Sequence, residues 1–224
     1  MRVCVLYSGG KDSNLALFKA WKVFEVACLI TLFPRSEECY LFHYPNTQLV
    51  KLQAEALNLP LITEACLDDE ESNLKALYKA LKGAREEYGI DGVVTGAIRS
   101  TYQASRFQKV CWDLGLWCFN PLWLRDEISL LKELLDHNFE AIFTRVAGYP
   151  LKKDLLGKRV DERAVEFFKK IRYYVNPSGE GGEYETFVLD MPLFKKRVKI
   201  LEYEIRGEDY DATLVIKRAE LIDK

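Results

Sequence analysis

Residues 4–18 read CVLYSGGKDSNLALF. Its first four residues are continuously apolar, as in a strand buried on both faces. From Ser13 the apolar residues recur with helical spacing, which predicts a helix over 13–24 with Leu17, Trp21 and Phe24 on one face. Between them stands SGGKDS, residues 8–13. Gly9 and Gly10 have no Cβ, so the backbone can turn tightly and bring its N–H groups against an anion. The helix start adds exposed N–H groups and the positive end of the dipole. Lys11 contributes a full charge, and Ser8 and Ser13 contribute hydroxyl donors. A plain glycine turn would require none of these extra groups. The stretch predicts a phosphate cradle. It is not the common triphosphate loop, because Val5 occupies the required glycine position and Asp12 follows Lys11. Asp12 would repel phosphate unless a cation offset it, so Mg²⁺ is expected at Asp12 together with the phosphates.

Outward from this stretch, strand-like and helix-like segments alternate. Strands are predicted over 3–7, 26–33, 61–65, 91–96, 116–119 and 140–146. Helices are predicted over 46–57, 72–88, 102–114 and 128–137. Asn46 is expected to cap the first of these, and Leu74, Leu77, Tyr78, Leu81 and Tyr88 to line one stripe of the second. The fold class is therefore α/β: a Rossmann-like parallel sheet with helices on both faces. Ligands of such sheets sit beyond the carboxyl ends of the strands. After about Gly148 the pattern changes. A helix over 161–173, the bend NPSGEGGEYET at 176–186, and strands over 185–189, 198–205 and 212–219 predict a smaller α+β domain. The last two strands flank Gly207-Glu208-Asp209 and read as a hairpin. The expected division is 1–147 for nucleotide binding and 148–224 for the substrate.

With 224 residues and a net charge of -2, the chain lacks the basic excess of a non-specific nucleic-acid binder, so no stable nucleic-acid binding is expected. No apolar run approaches the roughly 18 residues of a spanning helix. No membrane association and a cytoplasmic location are expected. The six cysteines are scattered without a CxxC pair, and only two histidines are present, so zinc spacing is absent. Cys4 and Cys28 fall in strand-like runs, where cysteine packs as a small hydrophobe.

SGGKDS resembles the signature of the PP-loop ATP pyrophosphatases, with their adenine nucleotide alpha-hydrolase-like fold. That resemblance implies cleavage of ATP between its α and β phosphates, adenylylation of an oxygen, and displacement of AMP by nitrogen or sulfur. Other stretches narrow it: HYPNTQ (43–48), GAIRSTYQASR (96–106), NPLW (120–123) and GEGGEYET (179–186), followed by Asp190, Pro192 and Phe194. Together they resemble the diphthine–ammonia ligase (diphthamide synthase) family, over residues 3 to about 199. The resemblance implies ATP and Mg²⁺ as cofactors, ammonium as nitrogen donor, and translation elongation factor 2 bearing diphthine as protein substrate. Diphthamide, AMP and pyrophosphate would be the products. It places Ser8, Gly9, Gly10, Lys11, Asp12, Ser13, His43, Gly96, Ser100, Tyr102, Gln103, Arg106 and Glu180 around the nucleotide. Lys11, Glu183 and Glu185 become the catalytic residues, with Asp12 on the metal. Where the family often has Ser-Asp-Tyr-Gln, this chain has Ser100-Thr101-Tyr102-Gln103, so position 101 carries no charge.

Several of these residues can be read physically beside the resemblance. Gly96 ends a strand at the ligand edge, where a missing side chain permits close approach. Arg106, a turn beyond Tyr102, offers a fork of donors for phosphate or a substrate carboxylate; the other reading is a surface arginine on an amphipathic helix. His43 fits a nucleotide contact or an ordinary loop histidine equally. In a strand starting at Glu183, Glu183 and Glu185 would share a face, with Tyr184 opposite. Ammonium reacts only after losing a proton, which gives a nearby carboxylate a task; a solvated charged turn is the simpler reading of the bend. Arg2 stands where an N-terminal-nucleophile glutaminase needs cysteine, so free ammonium is the expected donor. Two rivals use the same loop: a tRNA-sulfurating enzyme, which would need cysteine pairs and a basic module, and a non-catalytic ATP sensor.

Overall fold

The chain was analysed as a computed structural model that describes residues 1–34, 46, 49–66 and 69–224. It divides into two compact units, Met1–Ser8 with Asp12–Trp123, and Gly9–Lys11 with Leu124–Lys224. His43 and all of HYPNTQ except Asn46 lie outside the described residues.

The first unit is a five-stranded sheet in the order β3-β2-β1-β4-β5. Its strands are β1 (Arg2–Leu6), β2 (Glu25–Pro34), β3 (Leu61–Cys66), β4 (Gly92–Val94) and β5 (Trp117–Phe119). Every pairing is parallel. The helices are α1 (Lys11–Trp21), α2 (Val50–Leu57), α3 (Glu70–Tyr88) and α4 (Thr101–Asp113). This is the α/β sheet that the alternating pattern predicts. The chain runs from β1 outward to β3, then returns to β4 on the other side of β1, so the order reverses between β1 and β4. That reversal point is where such sheets bind ligands.

Local chemistry sets the helix ends. Asp69 accepts from the Ser72 amide at 2.8 Å and starts α3, and Gly89 ends it in the left-handed conformation at φ 61°. α3 presents Leu77 and Leu81 to the core, but Tyr78, expected on the same stripe, is 40% exposed. α1 stops at Trp21, earlier than expected, and Phe24 leaves the helix to pack on Phe119 with ring centroids 4.9 Å apart. α2 begins at Val50 without a side-chain cap. Asn46 is instead buried, its carbonyl accepting from the Leu49 amide.

The second unit holds a four-stranded sheet in the order β7-β6-β9-β8. It comprises β6 (Glu140–Ala147), β7 (Tyr184–Asp190), β8 (Arg197–Glu208) and β9 (Asp211–Ile222), with α5 (Glu127–Asp136) and α6 (Glu162–Ile171). All its pairings are antiparallel. The reading of 140–146 as a last strand of the parallel sheet is therefore corrected: β6 pairs with β7 and β9. A buried strand next to a helix looks the same in either sheet, because only the partner differs. Phe143, Phe168 and Tyr184 form the aromatic centre of this unit, with Phe168 stacked on Tyr184 at 4.8 Å. The β8–β9 hairpin turns at Asp209-Tyr210, and just before it Gly207 takes a φ of 100° and lies so near the Asp211 carbonyl that a side chain is excluded.

Candidate active site

β1 delivers the chain to the sheet's carboxyl edge at the reversal point, and α1 begins there. Gly9 takes φ 83°, a conformation open to glycine at little cost. In the first unit the Ser8 hydroxyl donates to Ser13 Oγ at 3.2 Å. Ser8 is exposed, Asp12 is half-buried, and Ser13 is buried. Gly96, in the loop after β4, lies hard against this turn: a Cβ there would meet Ser13 N at 2.9 Å and the Asp12 carbonyl carbon at 3.0 Å. The same loop is braced by Thr95, whose hydroxyl donates to Asn120 Oδ1 at 2.5 Å, while the Ala97 amide donates to Thr95 Oγ1. The loop after β4 thus packs close against the backbone at the start of α1. A helix N-terminus at a sheet's reversal point is a setting that favours phosphate.

The start of α4 carries the next predicted residues. Ser100 Oγ accepts from the Gln103 amide at 3.3 Å, so both residues build the helix cap. Arg106 stacks on the Tyr102 ring, 3.3 Å from its centroid. Its guanidinium donates to Glu70 Oε1, at 2.8 Å from Nε and 2.6 Å from an η nitrogen, and to the Tyr102 carbonyl at 3.1 Å. Tyr102 in turn donates to Glu70 Oε2 at 3.0 Å. The hydrogen bonds from Arg106 and Tyr102 hold the Glu70 carboxyl below its ordinary range. Arg106 is therefore fixed in place by Glu70. Sequence reading did not single out Glu70, because an acid in the first turn of a helix looks like dipole compensation.

In the second unit the loop tip Gly9–Lys11 sits with the glycine-rich bend. The Lys11 amide donates to Thr186 Oγ1 at 3.0 Å, and the Val188 amide donates to the Gly9 carbonyl at 3.1 Å. The Lys11 ammonium donates to the Ser178 carbonyl at 2.5 Å and lies 4.9 Å from the centre of the Tyr184 ring. Tyr184 is anchored by its hydroxyl on the Pro177 carbonyl at 2.6 Å. Gly179, at φ 73°, has no room for a Cβ beside the Tyr184 carbonyl. Ser178, Tyr184 and Thr186 thus hold the loop tip. Tyr184 and Thr186 belong to GEGGEYET, and Ser178 immediately precedes it.

The three acids of the bend differ. Glu180 is half-buried at the turn. Glu183 precedes β7 rather than starting it, so the predicted face shared with Glu185 does not form as a strand face. Glu183 Oε1 accepts from the Asn176 amide at 3.2 Å. Its Oε2 is buried and accepts no hydrogen bond among the described residues. Gly181 leaves the space next to this carboxylate, since a Cβ would meet it at 2.8 Å. Burial pushes the Glu185 carboxyl up from 4.5 to about 8, against the opposing charge of Arg145. The folded state then binds one more proton than the unfolded state between those values. The stability that Glu185 contributes is full below pH 4.5, falls as pH rises through this window, and is lost above about 8. Melting curves at pH 5 and pH 9 check this: Glu185→Gln is expected to lose less stability than the native chain between the two. Parallel losses in both proteins would contradict it.

A family model described as "Diphthamide synthase N-terminal domain" matches residues 1–118, and one described as "Diphthamide synthase C-terminal domain" matches 126–222. The chain belongs to the diphthine–ammonia ligase family. The Danio rerio diphthine–ammonia ligase is 37% identical over 89% of this chain and 86% of its own length. The Homo sapiens enzyme is 35% identical over 95% of this chain and 87% of its own, and the Mus musculus enzyme 37% identical over the same shares. The chain is thus an enzyme of the ATP-dependent ligase class. Among the described residues no cluster of three or more His, Cys, Asp or Glu side chains forms a closed metal cage. A Mg²⁺ ion held through one carboxylate and substrate phosphates needs no such cage, so Asp12 beside the cradle fits that mode. No helix among the described residues is long and apolar enough to cross a membrane.

Proposed function

We propose that this chain amidates the diphthine carboxylate of translation elongation factor 2 with free ammonium, consuming ATP and releasing AMP and pyrophosphate in the cytoplasm. The observation that carries the reading is the joining of the phosphate-loop tip to the acidic bend through Lys11, Thr186 and Ser178 in one compact unit. This supports a reading in which the loop tip and the acidic bend act in one reaction.

In the proposed reaction the substrate carboxylate attacks the α-phosphorus of ATP. The positive end of the α1 dipole and the hydroxyls of Ser8 and Ser13 receive the departing pyrophosphate. Gly96 lets the backbone close around it. Asp12 would hold Mg²⁺, which when bound supplies positive charge against the polyphosphate. Arg106, oriented by Glu70 and Tyr102, presents its remaining N–H groups to an anionic group of either substrate. Lys11 fixes the bend through Ser178, and Glu180 lies at the turn of that bend. Glu183 takes the proton from ammonium, its open Oε2 being suited to a small N–H cation. Glu185, neutral below about pH 8, serves as a hydrogen-bond donor rather than a base. Ammonia then attacks the acyl-adenylate carbonyl and AMP leaves. Water must be kept out, because hydrolysis returns the acid.

The test uses ¹⁵N-ammonium, ATP and diphthine-bearing elongation factor 2. Peptide mass spectrometry is expected to show ¹⁵N in the modified histidine, and none with ¹⁵N-glutamine in ammonia-free buffer. Equal labelling from glutamine, or no amide at all, would overturn the proposal.

A further inference from the structure

The cysteines that look scattered in the sequence converge in the first unit. Cys28 on β2 registers with Cys4 on β1, Cys4 with Val93 on β4, and Val93 with Cys118 on β5. Residues in register across parallel strands point to one face. Cys111 of α4 packs onto that face in the same apolar cluster. Cys118 packs against this same cluster from the neighbouring strand. The approach is set by the backbone, because the Leu116 amide donates to the Cys111 carbonyl at 2.8 Å and folds α4 back into β5. β5 is an edge strand and Cys118 is half-buried, whereas Cys4, Cys28 and Cys111 are fully buried.

We propose that Cys111 and Cys118 are an oxidisable dithiol, a modification site that closes to an intramolecular disulfide when a peroxide-class oxidant reaches the β5 edge. Bridging brings the two sulfurs to about 2.05 Å. Cys118 is the attacking group. The neighbouring Cys111 thiol lowers its pKa, while Cys118 and burial raise that of Cys111. The Cys118 thiolate attacks one peroxide oxygen, the O–O bond breaks, and hydroxide leaves and is protonated to water. The resulting sulfenic acid is then attacked by the Cys111 sulfur. The S–S bond forms, the S–O bond breaks, and the Cys111 proton leaves with the hydroxide as a second water. Two thiols and one peroxide give one disulfide and two waters, and an added dithiol reverses the change. The staple joins α4, which begins with Tyr102, Gln103 and Arg106, to the strand followed by Asn120, the partner of Thr95. Oxidation therefore fixes both flanks of the Gly96 loop. This inference does not depend on the proposed reaction.

Residues 110–125, VCWDLGLWCFNPLWLR, form a single tryptic peptide containing both cysteines. The full chain is treated with stoichiometric hydrogen peroxide, denatured, alkylated and digested without reductant. The expected product is this peptide two hydrogens lighter and unalkylated, restored by dithiothreitol, with a Tm rise of roughly 5 °C for the oxidised chain. Cys111→Ser is expected to leave a sulfenic acid at Cys118 that dimedone traps, and Cys118→Ser to leave Cys111 alkylatable after peroxide. Double alkylation of the peptide in the native chain, or its linkage to a different cysteine peptide, would overturn the proposal.

Discussion

Replacing Gly96 by alanine is expected to lower kcat/KM for ATP about 100-fold. The added methyl would stand 2.9 Å from the Ser13 amide nitrogen and 3.0 Å from the Asp12 carbonyl carbon. Those atoms are backbone and cannot rotate away as a side-chain tip would. The start of α1 must shift instead, taking with it the amides that face the phosphates. Small displacements of positioning groups cost rate on this scale. Overpacking adds about 1–3 kcal/mol of destabilisation. Gly83, inside α3, is the matched control: a Cβ there meets nothing within 4 Å. Gly83→Ala is expected to leave ATP use unchanged and to raise stability by about 0.5–1 kcal/mol. Steady-state kinetics and denaturant melts on the pair measure both effects. Equal ATP kinetics in the two variants would remove Gly96 from the cradle.

Glu183→Gln is expected to slow amide formation about 100-fold or more at saturating ATP, the scale on which a positioned base acts. ATP binding should stay within about 2-fold of the native value, since the substitution leaves the cradle groups in place. The amide oxygen of glutamine can still accept from the Asn176 amide, so the bend keeps its shape. What is lost is a proton acceptor on the buried Oε2 side. Single-turnover amidation with equilibrium ATP binding separates the two quantities. An unchanged amidation rate would shift the proton acceptor elsewhere.

The α/β architecture was legible because continuous apolar runs alternate with helical stripes, and the proposed phosphate cradle was suggested by glycines, hydroxyls and a lysine at one strand end. Less visible was everything that depends on partners distant in the chain. β6 reads like a parallel strand until its neighbours β7 and β9 are known. The contacts of Lys11 to Ser178 and Tyr184, more than 160 positions away, could not be read from the loop. Arg106 was a candidate in the sequence, but its fixation by Glu70 depends on α3 and α4 meeting. Caps slipped by a few residues where a polar side chain had more than one use. Asn46, with the composition of an N-cap, is buried instead. The thiol pair illustrates the same limit, since Cys111 and Cys118 show no motif and meet only because α4 folds back onto β5.

The most direct measurement is the identity of the nucleotide products, followed by ³¹P NMR during turnover with diphthine-bearing elongation factor 2 and ammonium. The account predicts AMP and pyrophosphate, formed in equal amounts and in step with the amide. ADP and orthophosphate would mean that the loop after β1 presents a different bond of ATP, and would contradict it.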